Sequence, residues 1–176
     1  LGKAGADESQ LRVWIDDWRA EAATDSTGSH TVVAHDETPS LALTLQPAKP
    51  LVTHGAAGIS RKGKDISQAS HYYSFTRLAT TGSLTIDGEQ FEVTGLTWMD
   101  HEFGSAELGT DQVGWDWFSI QLEDDTELML YRMRRKDGSS DLASSGTAVS
   151  PDGRTRHLEG TDFQIEPRAT WTRPES

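Results

Sequence analysis

Apolar and polar residues alternate with a period of two over much of the chain, and this pattern is commoner than the repeat of a helix. Successive side chains of a strand point to opposite faces, so the alternation predicts strands. Clusters of Gly, Asp, Ser and Pro separate the runs, which favours antiparallel pairing. The predicted strands are Leu11–Trp18, His30–His35, Leu41–Leu45, His71–Ala79, Ser83–Ile86, Gln90–Trp98, Trp115–Leu122, Glu127–Arg134 and His157–Ile165. This number of strands predicts a closed barrel or a sandwich.

Short links rich in Asp and Gly predict that consecutive strands form hairpins, because these residues tolerate the positive φ of tight turns. The predicted turns are Asp87-Gly88, Asp124-Asp125, Lys136-Asp137-Gly138 and Pro151-Asp152-Gly153. The stretch Pro47–Gln68 contains Pro and Gly together with the basic residues Arg61, Lys62 and Lys64, and we interpret it as a long loop whose charges keep it solvated. A short polar helix is the candidate at Gly5–Gln10.

Composition excludes several classes of function. The chain has 176 residues, with 28 acidic and 16 basic side chains and a formal net charge of −12. This charge would repel a phosphate backbone, so we expect no nucleic-acid partner. The chain contains no Cys, which excludes disulfides, thiolate nucleophiles and cysteine-bound metals. It shows no membrane-spanning apolar stretch and no signal peptide, and because it begins at Leu1 we expect that the native start has been lost.

The densest candidate chemistry lies in Gly95–Gly104 and in Trp115-Asp116-Trp117-Phe118. In an extended strand, Met99, His101 and Phe103 share one face, which predicts an inward-facing His101. A buried imidazole needs a hydrogen-bond partner, for which we consider Asp116 or a tyrosine hydroxyl. His101 is then either a satisfied core histidine or a general acid or base tuned by its apolar surroundings.

The same region offers two further interpretations. Oxygen and nitrogen ligands for a cation are present in Asp100, His101, Glu102 and Asp116, but no His-x-His or His-x-x-x-His spacing supports a metal site, and we expect neither a metal nor another cofactor. Trp115 and Trp117 share a strand face, and Trp98 lies on a predicted neighbour, so these indoles either fill a core or wall a cavity. His71 and Tyr73 share one face of another aromatic stretch, and we include them with Phe103 as candidate ligand-binding residues.

Four segments together resemble the AttH family of lipocalin-like proteins, which is related to carotenoid hydratases and fungal Diels–Alderases. They are Arg12–Trp18, His71–Leu78, Trp98–Gly104 and Gly114–Ser119 continued through Leu128–Arg132. The resemblance implies an all-β, lipocalin-like antiparallel barrel, or calyx, with a cavity for an apolar ligand. It also implies export to the periplasm or beyond and an association with a membrane transporter.

Members of the family are generally longer, so the resemblance implies parts of two barrels with missing terminal regions. We expect residues 1–50 to form the end of a first barrel and residues 51–68 to form a linker loop. Residues 69–176 should form a second barrel that is incomplete at its C-terminus. In the hydratase branch, a His-x-Trp pair and a Tyr-x-Asp pair resemble acid and base machinery. The similar places here hold His101-Glu102-Phe103 and Tyr131-Arg132-Met133, so Met133 replaces the carboxylic acid.

Three functions follow as hypotheses. The first is a carrier of a lipid, isoprenoid or polyketide in a tryptophan-lined cavity. The second is a hydratase or cyclase in which His101, with Asp100 or Asp116 and with Tyr131, moves a proton on an apolar substrate. The third is a structural module associated with a transporter. The sequence leaves the oligomeric state open.

Overall fold

The computed structural model describes residues 3–23, 28–36, 39–104, 108–169 and 171–172. Within these residues the regular elements are β-strands, and no helix is present, so the predicted all-β class is confirmed. The strands are β1 (Ala4–Ala6), β2 (Arg12–Ile15), β3 (Trp18–Ala22), β4 (His30–His35), β5 (Ser40–Pro47), β6 (Val52–Thr53), β7 (Ile59–Arg61), β8 (Ala69–Ile86), β9 (Glu89–Gly104), β10 (Gln112–Gln121), β11 (Glu127–Arg135), β12 (Ser145–Val149) and β13 (Thr155–Glu159).

The chain divides into two compact units, which are both discontinuous in sequence. Unit 1 comprises Leu1–Val52 and Tyr73–Asp100, and unit 2 comprises Thr53–Tyr72 and His101–Ser176. These bounds follow contacts between residues and do not define barrels, so the expected division at residues 50 and 69 stays a prediction. Nothing in the described residues forms a helix long and apolar enough to cross a membrane.

Unit 1 is an antiparallel meander. Its strands follow the order β1-β2-β3-β4-β5-β8, and β9 pairs with β8. The predicted turn between β8 and β9 is confirmed, because Asp87 and Gly88 join these strands with φ values of 52° and 82°. Leu45 and Leu78 are buried in this unit.

Unit 2 contains a second meander, in the order β10-β11-β12-β13. Burial alternates along β11, where Met129, Tyr131 and Met133 are buried, as the period-two pattern predicts. Val149 and Leu158 extend this core onto β12 and β13. The predicted turn at Asp124-Asp125 joins β10 to β11, and the turn at Pro151-Asp152-Gly153 joins β12 to β13, so both are confirmed.

The predicted closure of the strands into barrels is wrong for the described residues. In each sheet the strand order has two distinct ends that do not pair with each other, so the sheets are open. Alternation along a strand reports which face is buried, whereas closure also needs a matching strand number, tilt and stagger. The all-β class holds without the closed calyx.

Several element boundaries differ from the prediction for local reasons. The run Leu11–Trp18 is two strands, because Asp16 adopts a positive φ of 48° and turns the chain between β2 and β3. The runs His71–Ala79 and Ser83–Ile86 are one strand, β8. The helix candidate at Gly5–Gln10 is wrong, because Ala4–Ala6 pairs with β2 as a strand.

Two stretches that lacked a clear pattern also contain strands. The predicted loop Pro47–Gln68 includes the short strands β6 and β7, and β7 pairs with the start of β8. The strand Ser145–Val149 was not predicted, because its residues are small and its apolar positions do not alternate clearly. The predicted strand His157–Ile165 ends earlier, at Glu159.

Candidate functional site

Unit 2 contains a cavity of about 320 Å³, which we call the unit 2 cavity. Aromatic and aliphatic side chains supply most of its wall, and a small polar group completes it. Its lining residues are Lys62, Ser70, Glu102, Phe103, Gly104, Leu108, Trp115, Trp117, Tyr131 and Met133. A larger depression of about 630 Å³ in the same unit is lined mainly by polar loop residues such as Gln68 and Asp111. Since small-molecule sites are mostly apolar with few polar groups, the unit 2 cavity is the stronger candidate.

Strand pairing assembles the apolar part of this cavity. In the antiparallel register of β10 and β11, Trp115 lies opposite Met133 and Trp117 lies opposite Tyr131. Residues two apart on a strand share a face, so these four side chains form one continuous surface. Trp115 is 58% exposed and Trp117 is 39% exposed, although tryptophan usually buries most of its area. The two indoles therefore offer a large apolar surface that the protein itself leaves uncovered.

One of the two indoles is held by a hydrogen bond. Nε1 of Trp117 donates to the hydroxyl of Tyr72 at 3.0 Å. Tyr72 is buried, and its ring lies against His54 with a centroid distance of 4.3 Å. A buried partner of this kind fixes the plane of the indole, which reduces the entropy lost when a ligand covers it.

The polar group of the cavity is an ion pair. Nζ of Lys62 lies 2.8 Å from Oε1 of Glu102, and Oγ of Ser70 donates to the same oxygen at 2.6 Å. The Lys62 ammonium also lies over two aromatic rings, 3.9 Å from the centroid of Tyr131 and 5.1 Å from that of Tyr72. Carboxylate and π-faces both stabilise the cation, so Lys62 is accommodated at a side-chain exposure of only 16%.

The hydroxyl of Tyr131 is bound on the side of the short loop strand β7. It donates to the carbonyl oxygen of Arg61 at 3.0 Å and accepts from Oγ of Ser145 at 2.8 Å. Oγ of Ser60 lies 3.2 Å away. Because a phenol carries one proton, the bond to Arg61 engages the only proton that Tyr131 could donate. Tyr131 therefore lines the cavity with its ring, whereas its hydroxyl makes hydrogen bonds that stabilise the fold.

The structure brings together four of the predicted site residues at this cavity. Phe103, Trp115, Trp117 and Tyr131 line it, whereas Trp98 and Tyr73 are half-buried residues of unit 1. His71 is exposed and stacks on Phe103 with a centroid distance of 5.2 Å, and it is not among the lining residues.

His101 is exposed, so the prediction of an inward-facing imidazole is wrong. Its ring meets Phe103 edge to face at a centroid distance of 5.2 Å, as expected for residues two apart on one strand face. His101 is not among the residues that line the unit 2 cavity. Alternation fixed the shared face correctly, but it could not tell which face of this segment is covered.

The two predicted acidic partners lie in different settings. Asp100, in unit 1, accepts hydrogen bonds from Ser74 Oγ and from Trp98 Nε1, the latter at 3.0 Å. Asp116 pairs with Arg132, whose Nη2 lies 2.7 Å from Oδ2, and with Arg134 at 3.6 Å. Asp116, one of the two kinds of hydrogen-bond partner considered for His101, is therefore paired with arginines, and the proton-transfer roles of these residues stay predictions.

Sequence reasoning missed Lys62, Ser70 and Glu102 as members of one site. Lys62 follows β7, Ser70 lies near the start of β8 and Glu102 lies near the end of β9, so these residues meet through strand pairing and not through a motif. In the register of β7 and β8, Ser60 lies opposite Ser70, and this pairing places the residues of the predicted loop beside β8. The sequence held one weak signal: Ser60 and Lys62 are two residues apart, so in an extended segment their side chains lie on the same face. Within the described residues, no cluster of three or more His, Asp or Glu side chains could hold a metal ion.

These features define an all-β, lipocalin-like protein with an aromatic cavity beside an open antiparallel sheet. The family model described as AttH-like matches residues 1–176. The chain therefore belongs to the AttH-like family, and the resemblance noted from the sequence is confirmed. No curated protein matches the chain.

Solved structures that are similar to the chain include an AttH protein and a hydratase. The crystal structure of an AttH protein from Nitrosomonas europaea is 33% identical over 96% of this chain, with a TM-score of 0.86. Kievitone hydratase from Nectria haematococca is 16% identical over 86% of this chain, with a TM-score of 0.69, which supports the fold alone. The match covers 52% of the first of those chains and 46% of the second, so this chain spans about half the length of either relative.

Proposed function

We propose that this protein binds an apolar small molecule, such as a lipid, an isoprenoid or a polyketide, in the unit 2 cavity. The observation that carries the proposal is the pair of exposed indoles, Trp115 and Trp117, on a surface shared with Met133. A volume of about 320 Å³ lies within the range of small-molecule sites. A soluble domain rarely leaves contiguous aromatic surface uncovered unless a ligand or partner meets it.

The hydrophobic effect supplies enough free energy for reversible binding. Covering apolar surface contributes roughly 25 cal/mol per Å², so a ligand that covers about 300 Å² gains roughly 7 kcal/mol before the cost of association. The fixed Trp117 ring lowers that cost, because its plane is already set by Tyr72. Because roughly 7 kcal/mol corresponds to a dissociation constant of about 10 μM before that cost is subtracted, we expect dissociation constants weaker than about 10 μM for a ligand of suitable shape.

A hydratase or cyclase activity is the second candidate, and the specific observation in its favour is the likeness in fold to a protein named as a hydratase. In the described residues, however, His101 does not line the cavity and Asp116 is paired with Arg132. Binding without turnover needs none of these residues, so it is the function that the geometry supports better.

We also propose, from the family resemblance, that the protein acts outside the cytoplasm and in association with a membrane transporter. Fractionation of the source organism with antibodies against this chain tests the first part. Co-purification of a transporter component with the tagged full-length protein tests the second. Recovery in the cytoplasmic fraction would contradict export.

Binding can be measured with Nile red, a neutral apolar dye whose emission increases in an apolar site. Trp115→Ala should weaken dye binding about tenfold or more, since it removes the most exposed indole of the cavity and leaves the Trp117 bond to Tyr72 in place. Trp171→Ala is the matched control, because Trp171 is 79% exposed and does not line the cavity. Equal binding by both variants and the parent protein would refute the proposed site.

A further inference from the structure

The charges in the unit 2 cavity indicate what kind of apolar molecule it accepts. Its lining residues include two charged side chains, Lys62 and Glu102, and these two face each other at 2.8 Å. Among the residues that the structure describes, the lining is therefore electrically balanced before any ligand enters. Side-chain exposures of 16% and 36% place this pair partly out of water, where an additional unpaired charge is costly.

An ionic ligand would disturb this balance in either sign. A carboxylate that approaches Lys62 also approaches Glu102, and an ammonium that approaches Glu102 also approaches Lys62. Juxtaposed like charges are strongly unfavourable in a partly desolvated site. To bind an ion, the cavity would have to break the Lys62–Glu102 pair, and the displaced partner would be left without its counter-charge.

A neutral polar group can instead join the pair without breaking it. The Lys62 ammonium has three N–H donors, and one of them accounts for the contact with Glu102. Oε1 of Glu102 accepts from Ser70 and Lys62, whereas Oε2 makes no hydrogen bond within the described part of the chain. A ligand hydroxyl can donate to Oε2 and accept from Lys62, and a carbonyl can accept from Lys62 alone.

We infer that the ligand of the unit 2 cavity is an uncharged apolar molecule that carries a hydroxyl or carbonyl group, and that the Lys62–Glu102 pair selects against acids and amines. The inference rests on the proposed function and specifies its ligand class. The hydrophobic body lies against Trp115 and Trp117, and the polar group lies at the ion pair. The pair then determines both the orientation and the charge of what binds.

The test uses octanol, octanoate and octylammonium, which share an apolar chain and differ in head-group charge. Each is titrated into the full chain at pH 7 as a competitor of Nile red. On the parent protein, octanol should bind most tightly. This order alone would hold for any apolar cavity, so the deciding measurement is how two substitutions change it.

Glu102→Gln leaves Lys62 without its counter-charge and keeps an oxygen that can accept from Ser70. The affinity of octanoate relative to octanol should then rise about tenfold or more. Lys62→Met keeps an apolar stem of similar shape and removes the cation, so octylammonium should gain by a similar factor relative to octanol. Glu123→Gln is the control for Glu102→Gln, since it removes the same negative charge at an exposed residue outside the cavity lining and should alter neither ratio.

The outcomes separate this inference from the proposed function. If octanoate or octylammonium outcompetes octanol on the parent protein, or if the ratios in Glu102→Gln and Lys62→Met match those of Glu123→Gln, the cavity does not select by this pair and the inference is wrong. If Nile red binding is insensitive to Trp115→Ala, the proposed function itself fails. A gain of octanoate in Glu102→Gln and a gain of octylammonium in Lys62→Met, each relative to octanol, would support both the inference and the proposed function.

Discussion

The ammonium of Lys62 lies 3.9 Å from the centroid of the Tyr131 ring. The ring faces the unit 2 cavity, while the hydroxyl at its far end is hydrogen-bonded to the backbone of Arg61. Tyr131 therefore performs two tasks with two parts of one side chain. Its π-face stabilises the partly buried cation, and its hydroxyl holds β7, the strand that precedes Lys62.

Tyr131→Phe separates these tasks. The phenyl ring keeps the contact with Lys62, but Arg61 and Ser145 each lose a hydrogen-bond partner. We expect the free energy of unfolding to fall by about 1–3 kcal/mol, because buried polar groups are left unsatisfied. Urea denaturation measures this, and Nile red affinity should change less than threefold. A stable variant that no longer binds the dye would contradict this assignment, in which the hydroxyl stabilises the fold and the ring lines the cavity.

Asp116→Asn should reduce stability, since Asp116 holds the guanidinium of Arg132 through Nε at 2.9 Å and Nη2 at 2.7 Å. A charge-assisted, partly buried pair of this kind contributes about 1–2 kcal/mol. Arg134→Gln is the matched control, because Arg134 lies 3.6 Å from the other oxygen and is more exposed. We expect its cost to stay below about 0.5 kcal/mol. Equal losses in both variants would show that the Arg132 bond is not special.

His101→Ala tests whether the exposed imidazole contributes to the site. Because His101 does not line the unit 2 cavity, the substitution should change Nile red affinity less than twofold. Thermal denaturation should show a small change, since the edge-to-face contact with Phe103 is exposed. A large loss of affinity would instead bring His101 into the site and revive the proton-transfer hypothesis.

His30 should make the stability of the protein depend on pH. Burial lowers the pKa of His30 below its usual value of 6.5, and its Nδ1 has no hydrogen-bond partner among the described residues. The unfolded chain therefore binds a proton more readily than the folded protein. Its contribution to the free energy of unfolding is complete above pH 6.5 and is lost as the pH falls below that value.

The measurement compares His30→Phe with the parent protein in urea at several pH values between 5 and 7.5. The variant should lose part of the decline in stability on the acid side. His157→Phe is the control, since His157 is exposed and pairs with Glu159 at 3.5 Å. If the two variants follow the same pH profile, the half-buried imidazole of His30 is not the cause.

Gly82→Ala should be strongly destabilising. A Cβ at Gly82 would lie 2.1 Å from the carbonyl oxygen of Ala42 on the paired strand, and the φ of Gly82 is 150°. Since backbone must move to relieve this clash, we expect a loss of about 2–3 kcal/mol or more. Gly88→Ala is the control, because its φ of 82° is strained but a Cβ there meets open space. It should cost about 1 kcal/mol in thermal or urea denaturation.

Local pattern was sufficient to predict much of the fold. The strand His30–His35 matches β4 residue for residue, and the turn Asp87-Gly88 lies where its positive φ values are needed. These features depend on neighbours along the chain, so a single sequence contains the information. The open edges of the sheets and the turn at Asp16, which divides one predicted strand into two, were not predicted. Both depend on which strands pair with each other, and that is decided by residues elsewhere in the chain.

The sequence by itself determined the all-β class, the parity that puts Trp115 and Trp117 on one face, and the excess of acidic charge. Side-chain alternation and composition are local properties, and no tertiary contact can change them. Only the tertiary structure decided that His101 is exposed and that Lys62 meets Glu102 beside Tyr131. The reason is physical: which face is covered, and which distant strand supplies a counter-charge, are set by pairing between β7, β8 and β9 that no local pattern encodes.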